Sequence, residues 1–154
     1  MILNIRHMKD SDIDNVYAIE TDVHIAPWSR DILRDCVLVG YDCRVLELNN
    51  GDSPILGGYI ISRLSENNCH ILNFCIAKPL QSKGLGRKLL QTMIYSLSKF
   101  THVDSVILEA RPSNRAALHL YTSIGFEKIE IKKDYYKDKD HVEDAVLLKK
   151  LIAR

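Results

Sequence analysis

The chain has 154 residues, 46% hydrophobic and 27% charged, which is the composition of one compact globular domain and excludes a disordered, collagen-like or disulfide-stapled chain. At this length about 68–70% of the unfolded surface is buried on folding, enough for a core without metals or cross-links. Lys and Arg number 21 against 20 Asp and Glu, a net charge of +1, which lacks the strongly basic footprint of a nucleic-acid domain.

No apolar stretch approaches the roughly 18 residues of a membrane span. The opening Met1-Ile2-Leu3-Asn4-Ile5-Arg6 alternates like a strand and has no long apolar leader core, so a cytoplasmic protein is expected. The four cysteines form no Cys-x-x-Cys pair and the six histidines no His-x-x-x-His, so neither a zinc site nor a redox motif is expected. No repeat, low-complexity tract or Pro/Gly-rich linker interrupts the chain, and one domain over residues 1–154 is expected.

Residues 1–8 read as a strand and residues 11–22 as a helix with Ile13, Val16 and Tyr17 at helical spacing. Ala26-Pro27-Trp28 breaks the pattern before a second helix, for which Ser29 is the expected N-cap. Trp28 then has two readings, a hydrophobic staple on Leu33 or a residue that faces substrate. Strands follow at residues 43–48, 55–64 and 70–77, separated by Asn49-Asn50-Gly51-Asp52 and Ser65-Glu66-Asn67-Asn68, which suggests two hairpins.

From Gly84 the period becomes helical, with Leu85, Leu89, Met93 and Leu97 every four residues and Leu90 and Ile94 beside them. Residues 105–111 return to a strand, residues 114–124 form a helix stopped by Gly125, and residues 126–132 and 144–151 form two closing strands. The order β-α-α-β-β-β-α-β-α-β-β implies an α/β fold with a mixed sheet and helices on both faces. Between the last two strands the polar stretch 132–141 reads as the longest connection, and long connections usually bind or flex.

Two features point to chemistry. Gln81-Ser82-Lys83-Gly84-Leu85-Gly86-Arg87 joins a strand to the strongest helix, so backbone N–H groups and the positive helix end converge where glycine admits a ligand. It is no Walker loop, because Lys83 precedes the glycine, and Leu89 stands where a dinucleotide fingerprint has its third glycine. Glu109 lies between Leu108 and Ala110 in an apolar strand, where an ionised side chain borders a cleft or has a partner. Cys75, within an apolar run, reads as a small core residue and not as a reactive thiol.

The glycine loop matches the Gln/Arg-x-x-Gly-x-Gly/Ala signature of the GCN5-related N-acetyltransferase (GNAT) superfamily through Gln81, Gly84 and Gly86, and the chain resembles that family. A second marker agrees in Asn114, Ala117, Leu120, Tyr121, Gly125 and Phe126. The resemblance narrows to bacterial ribosomal-protein-alanine N-acetyltransferases of the RimI type through Ala26-Pro27-Trp28-Ser29, Leu108-Glu109-Ala110-Arg111-Pro112-Ser113-Asn114, Asp134-Tyr135-Tyr136 and Glu143-Asp144-Ala145. Matching segments run from near residue 24 to residue 148.

What the resemblance implies is a mostly antiparallel seven-stranded sheet with about four helices, its centre splayed to admit acetyl-CoA. The backbone of Phe74, Cys75 and Ile76 would pair with pantetheine as a sheet edge accepts an added strand. Gln81, Ser82, Lys83, Gly84, Leu85, Gly86 and Arg87 would cradle the pyrophosphate, and Asn114 would bond near the thioester. Glu109 would take the ammonium proton and Tyr121 would protonate the departing sulfur, against the plainer readings of a salt-bridged carboxylate and a packed aromatic. Trp28, Tyr135 and Tyr136 would contact the acceptor peptide.

The acceptor so implied is the N-terminal alanine of small-subunit ribosomal protein number eighteen, with neither nucleic acid nor membrane as partner. Another amine acceptor, or a non-catalytic acyl-CoA-binding module, would share the glycine loop. Two departures bear on specificity: Lys132 and Lys133 stand where arginines are common, and Ala77-Lys78-Pro79 replaces the usual acidic-Pro turn.

Overall fold

The computed structural model describes residues 2–100 and 102–153. They form seven strands and four α-helices: β1 Ile2–His7, α1 Ile13–Val23, α2 Arg30–Leu38, β2 Asp42–Asn49, β3 Ile55–Leu64, β4 Asn68–Ile76, α3 Leu85–Leu97, β5 Ser105–Ala110, α4 Arg115–Ile124, β6 Glu127–Asp138 and β7 His141–Leu151. The strands make one sheet in the order β1-β2-β3-β4-β5-β7-β6. The ladders β1–β2, β2–β3, β5–β7 and β6–β7 are antiparallel, and β4–β5 is parallel. The expected α/β fold with a mostly antiparallel seven-stranded sheet is the fold found.

The chain gathers into two compact units. One runs up to Arg63 and resumes over Asn73–Leu90; the other comprises Leu64–Leu72 and the chain from Gln91. In the first unit Ile13, Val16, Leu33, Val45, Tyr59 and Ile61 are buried together. Each such side chain contributes roughly 1.5–3 kcal/mol by leaving water. Ile13 and Val16 of α1 are buried as the spacing predicts, whereas Tyr17 is exposed and the next inward position, Glu20, is a buried carboxylate. In the second unit Val103, Val106, Leu108, Phe126, Ala145, Val146 and Leu148 form the apolar interior.

Helix ends follow local chemistry. The Ser29 side chain accepts a hydrogen bond from Ile32 N at 3.2 Å and so starts α2. Asn114 Oδ1 likewise accepts from Ala117 N at 3.2 Å, and Gly125, at φ +115°, closes α4 in the left-handed region that glycine tolerates. The apolar stripe of α3 buries Leu89, Leu90, Met93 and Leu97 completely.

The expected long connection at residues 132–141 is instead mostly strand. β6 continues to Asp138, β7 begins at His141, and only Lys139 and Asp140 turn the hairpin. Between the pairs Lys132↔Ala145 and Tyr136↔Glu143 the register shifts. There Asp134 adopts φ +52° and its N–H donates to Asp144 Oδ1 at 2.9 Å. The alternating Lys and Asp side chains mark the exposed faces of an edge ribbon, and a bulge absorbs the extra residues.

Candidate active site

In the first unit β4 leads into the glycine loop through fixed backbone contacts. Ala77 N donates to Gly57 O at 2.9 Å, a short 3-10 turn forms over Lys78–Leu80, and Gln81 Nε2 donates to Ile76 O at 2.9 Å. Gln81 thus ties the loop back to the strand it leaves. Ser82 at φ +63° and Gly84 at φ +81° flank Lys83 in the left-handed region, and a methyl group added at Gly84 would meet nothing within 4 Å. The loop therefore opens into free space ahead of α3. The first N–H groups of a helix have no carbonyl partners within it, so this end of α3, with Leu85, Gly86 and Arg87 in its first turn, suits an anion.

Within β4, Phe74 and Ile76 are half-buried and Cys75 is buried. Burial pushes the Cys75 thiol up to about 12, which leaves it protonated and inert. The strand lies hard against β3: a Cβ at Gly58 would come within 2.6 Å of Cys75 O. Only glycine fits there. Although β4 is nine residues long, its pairs with β5 cover Asn68–Ile71 against Ser105–Leu108.

Trp28 is partly buried against the cluster that contains Leu33, in keeping with a staple. Its backbone N–H donates to Glu20 Oε2 at 2.9 Å. Glu20 also accepts from Tyr59 Oη at 2.5 Å and Asn73 Nδ2 at 2.7 Å. A carboxylate so deep needs this donor set. Nothing in its local sequence pattern, beyond its place one turn after Val16, announced it.

In the second unit Glu109 is almost fully buried, its side chain 7% exposed. It is paired, as an ionised group in that position must be. His70 Nε2 lies 2.5 Å from Oε1 and 3.1 Å from Oε2, and Lys132 Nζ lies 3.5 Å from Oε2. Desolvation pushes the Glu109 carboxyl up, but the bond and charge of His70 and the charge of Lys132 outweigh it and hold the group below the usual carboxylate range. The β4–β5 register explains the encounter. His70 pairs with Ile107, and Glu109, two residues on, projects from the same face.

At the end of β5 Arg111 donates to Asp138 Oδ1 and Oδ2 at 3.1 and 3.0 Å and to Glu143 Oε1 at 3.4 Å, while Tyr136 covers the guanidinium at 4.1 Å. Glu143 further accepts from Ser113 N and Oγ at 2.9 and 3.0 Å. Burial of the Tyr136 phenol pushes it up to about 12. Tyr136 is therefore tied into a clamp, whereas Tyr135 is exposed and meets it edge-on at 5.0 Å. Tyr121 is buried on α4, its ring edge-on to Phe126 at 5.8 Å. Because Asn114 Oδ1 caps α4, its amide nitrogen is the end suited to a ligand carbonyl.

The structure thus brings Glu109 together with a partner, His70, that the sequence analysis did not single out. The signal was a polar residue at period two in an otherwise apolar strand, legible only once the register is known.

A family model described as the acetyltransferase (GNAT) family matches residues 12–126. The chain belongs to that family. It is 30% identical to the [ribosomal protein bS18]-alanine N-acetyltransferase of Escherichia coli K12 over 144 residues, 94% of each protein. The crystal structure of the ribosomal-protein-S18-alanine N-acetyltransferase from Escherichia coli superposes with a TM-score of 0.89 at 30% identity, covering 99% of this chain and 96% of that one. Arabidopsis thaliana NAA60 in complex with acetyl-CoA shares the fold at a TM-score of 0.88 and 16% identity, over 98% and 99% of the two chains. No helix among the described residues is long and apolar enough to cross a membrane.

Proposed function

We propose that this GNAT protein transfers the acetyl group of acetyl-CoA to a protein N-terminal α-amine, that of the alanine which begins ribosomal protein bS18, in the cytoplasm. The likeness to bS18-alanine N-acetyltransferases over nearly the full length of both chains carries the reading. Acetyl-CoA is the second substrate. Its pyrophosphate takes the N–H groups of the loop Gln81, Ser82, Lys83, Gly84, Leu85, Gly86 and Arg87, its pantetheine lies along Phe74, Cys75 and Ile76, and Asn114 bonds near the thioester. The open space at Gly84 and the inert thiol of Cys75 fit that use.

Glu109 takes a proton from the ammonium, the amine nitrogen attacks the thioester carbon, a C–N bond forms and the C–S bond breaks. Tyr121 delivers a proton to the sulfur, the second proton that leaves the nitrogen as the amide forms restores the phenol, and Glu109 returns the first to water. The sequence needs no metal. Trp28, Tyr135 and Tyr136 contact the acceptor peptide.

The acceptor follows from a magnitude. An α-amine titrates near about 7.7–8.0 and a lysine near about 10.4, so at neutral pH the first is unprotonated a few hundred-fold more often. A carboxylate held ionised by His70 and Lys132 is in the form that can accept a proton from such an ammonium.

The test follows free thiol released from acetyl-CoA with three acceptors: an alanine-starting peptide of bS18, its N-terminally blocked twin with an internal lysine, and a polyamine. Turnover of the free peptide alone is expected. Preference for the blocked peptide or the polyamine would move the acceptor, and tight acetyl-CoA binding without turnover would make the protein a binding module.

A further inference from the structure

We propose that Glu20 is a positioning residue that fixes the loop 24–28, between α1 and α2, against β3 and β4 and so sets the affinity for the acceptor. The role rests on the reading that the acceptor binds beside this loop, at Trp28. Glu20 lies on α1, is 1% exposed, and holds the loop at both ends. Its backbone carbonyl accepts from His24 N at 3.0 Å, and its side-chain Oε2 accepts from Trp28 N at 2.9 Å. At the next residue the Ser29 side chain caps α2, so the end of the loop is pinned at two successive positions.

The other carboxyl oxygen faces the sheet. Oε1 accepts from Tyr59 Oη of β3 at 2.5 Å and from Asn73 Nδ2 of β4 at 2.7 Å, and His24 Nε2 lies 3.5 Å from it. The two strands make a firm base, because they run so close that a Cβ at Gly58 would come within 2.6 Å of Cys75 O. Asn73 directly precedes Phe74, Cys75 and Ile76, the segment assigned to pantetheine. One carboxyl group therefore links the acceptor loop to the donor strand.

Stability alone does not account for such a group. Bonds inside the protein replace bonds to water, so a buried acid with three donors adds little over a well-packed apolar side chain of the same size. What it adds is direction, since donors from the loop, β3 and β4 converge on two oxygens in one geometry. The loop has need of it. Ile25, Ala26 and Pro27 are exposed, Ile25 at 70%, and gain little hold from the core.

Trp28 is the only tryptophan of the chain, so its emission reports on the loop directly. Glu20→Met keeps the side-chain length and removes both oxygens, and Ile13→Val, in the same buried cluster, is the control for a weakened core. The expected result in Glu20→Met is a rise of about tenfold in KM for the alanine-starting peptide, with Trp28 emission moved to longer wavelength and more strongly quenched by acrylamide. KM for acetyl-CoA is expected to stay unchanged, because β4 keeps its place in the sheet. Ile13→Val is expected to alter none of these. A further measurement needs no variant: in the wild-type protein the Trp28 amide is expected to exchange with deuterium about 10²-fold or more slowly than the amide of exposed Ala26, after correction for intrinsic rates.

A wild-type acceptor KM in folded Glu20→Met would overturn the proposal whatever the emission shows. So would an equal rise in both KM values, or rapid exchange of the Trp28 amide. Failure of the acceptor reading shows separately and in the wild type, as turnover of the blocked peptide or the polyamine in place of the free peptide, and the KM comparison is then made with that acceptor.

Discussion

At Glu109 three forces act on one carboxyl. Burial favours the neutral acid, while the His70 bond and the His70 and Lys132 charges favour the carboxylate and win. The sign has a consequence for pH. A group depressed in the folded state is ionised above its ordinary value, stays so as pH falls through the carboxylate range, and is neutralised only below its folded value. Glu109→Gln is expected to lower kcat by about 10²–10⁴-fold with little change in acetyl-CoA affinity, and Tyr121→Phe to do the same, as read by thiol release and by calorimetric titration. Equal loss of donor affinity would give both residues a folding role. Glu109 was legible in the sequence as a charge in an apolar strand. His70 was not, because the contact depends on a parallel register that pairs residues 37 apart in the chain, Ile71 with Leu108, which no local pattern reveals.

Elements were legible where their ends carry their own chemistry. Ser29, Asn114 and Gly125 cap or close helices as their side chains and backbone freedom dictate. Asn114→Ala removes the cap of α4 and is expected to cost about 1 kcal/mol in urea unfolding. If the amide also reaches the thioester end of acetyl-CoA, KM for the donor rises as well, a change that loss of a cap alone does not produce. β6 was misread past Lys132 because its pattern there is charged on both faces of an edge ribbon, a composition shared with solvated loops. Glu20, one turn beyond Val16 on α1, was missed for the opposite reason: its partners Tyr59, Asn73 and Trp28 come from distant segments. Glu20→Ala would leave three buried donors without an acceptor. A loss on the order of 3–5 kcal/mol is expected in the urea midpoint, and a loss under about 1 kcal/mol would contradict the buried network.

For the molecule as a whole, composition and element order were enough to indicate an α/β fold, and two short motifs indicated the family, because the glycine loop and the Asn114-to-Phe126 helix are both contiguous in the chain. Charge networks assembled from remote residues were not visible. One of them governs acid stability. Asp12 accepts two bonds from Arg6 at 2.8 and 2.9 Å and one from Lys9 N at 2.7 Å, and Arg6 also reaches Glu47 at 3.0 Å. Arg6 holds both carboxyls below their ordinary range. Their stabilisation is present above the ordinary carboxylate value and is lost as pH falls through the folded one. The urea midpoint is therefore expected to drop between pH 6 and pH 3, and to drop less in Asp12→Asn, which starts lower; equal slopes in the two proteins would remove Asp12 from the account.

The central claim is transfer to an α-amine. It is tested most directly by incubating the protein with acetyl-CoA and one peptide that carries both a free N-terminal alanine and an internal lysine, then locating the acetyl group by fragment mass. The account predicts acetyl on the alanine nitrogen and none on the lysine, with the product formed about 10²–10⁴-fold more slowly in Glu109→Gln. Acetyl on the lysine, or equal labelling of both amines, would contradict it.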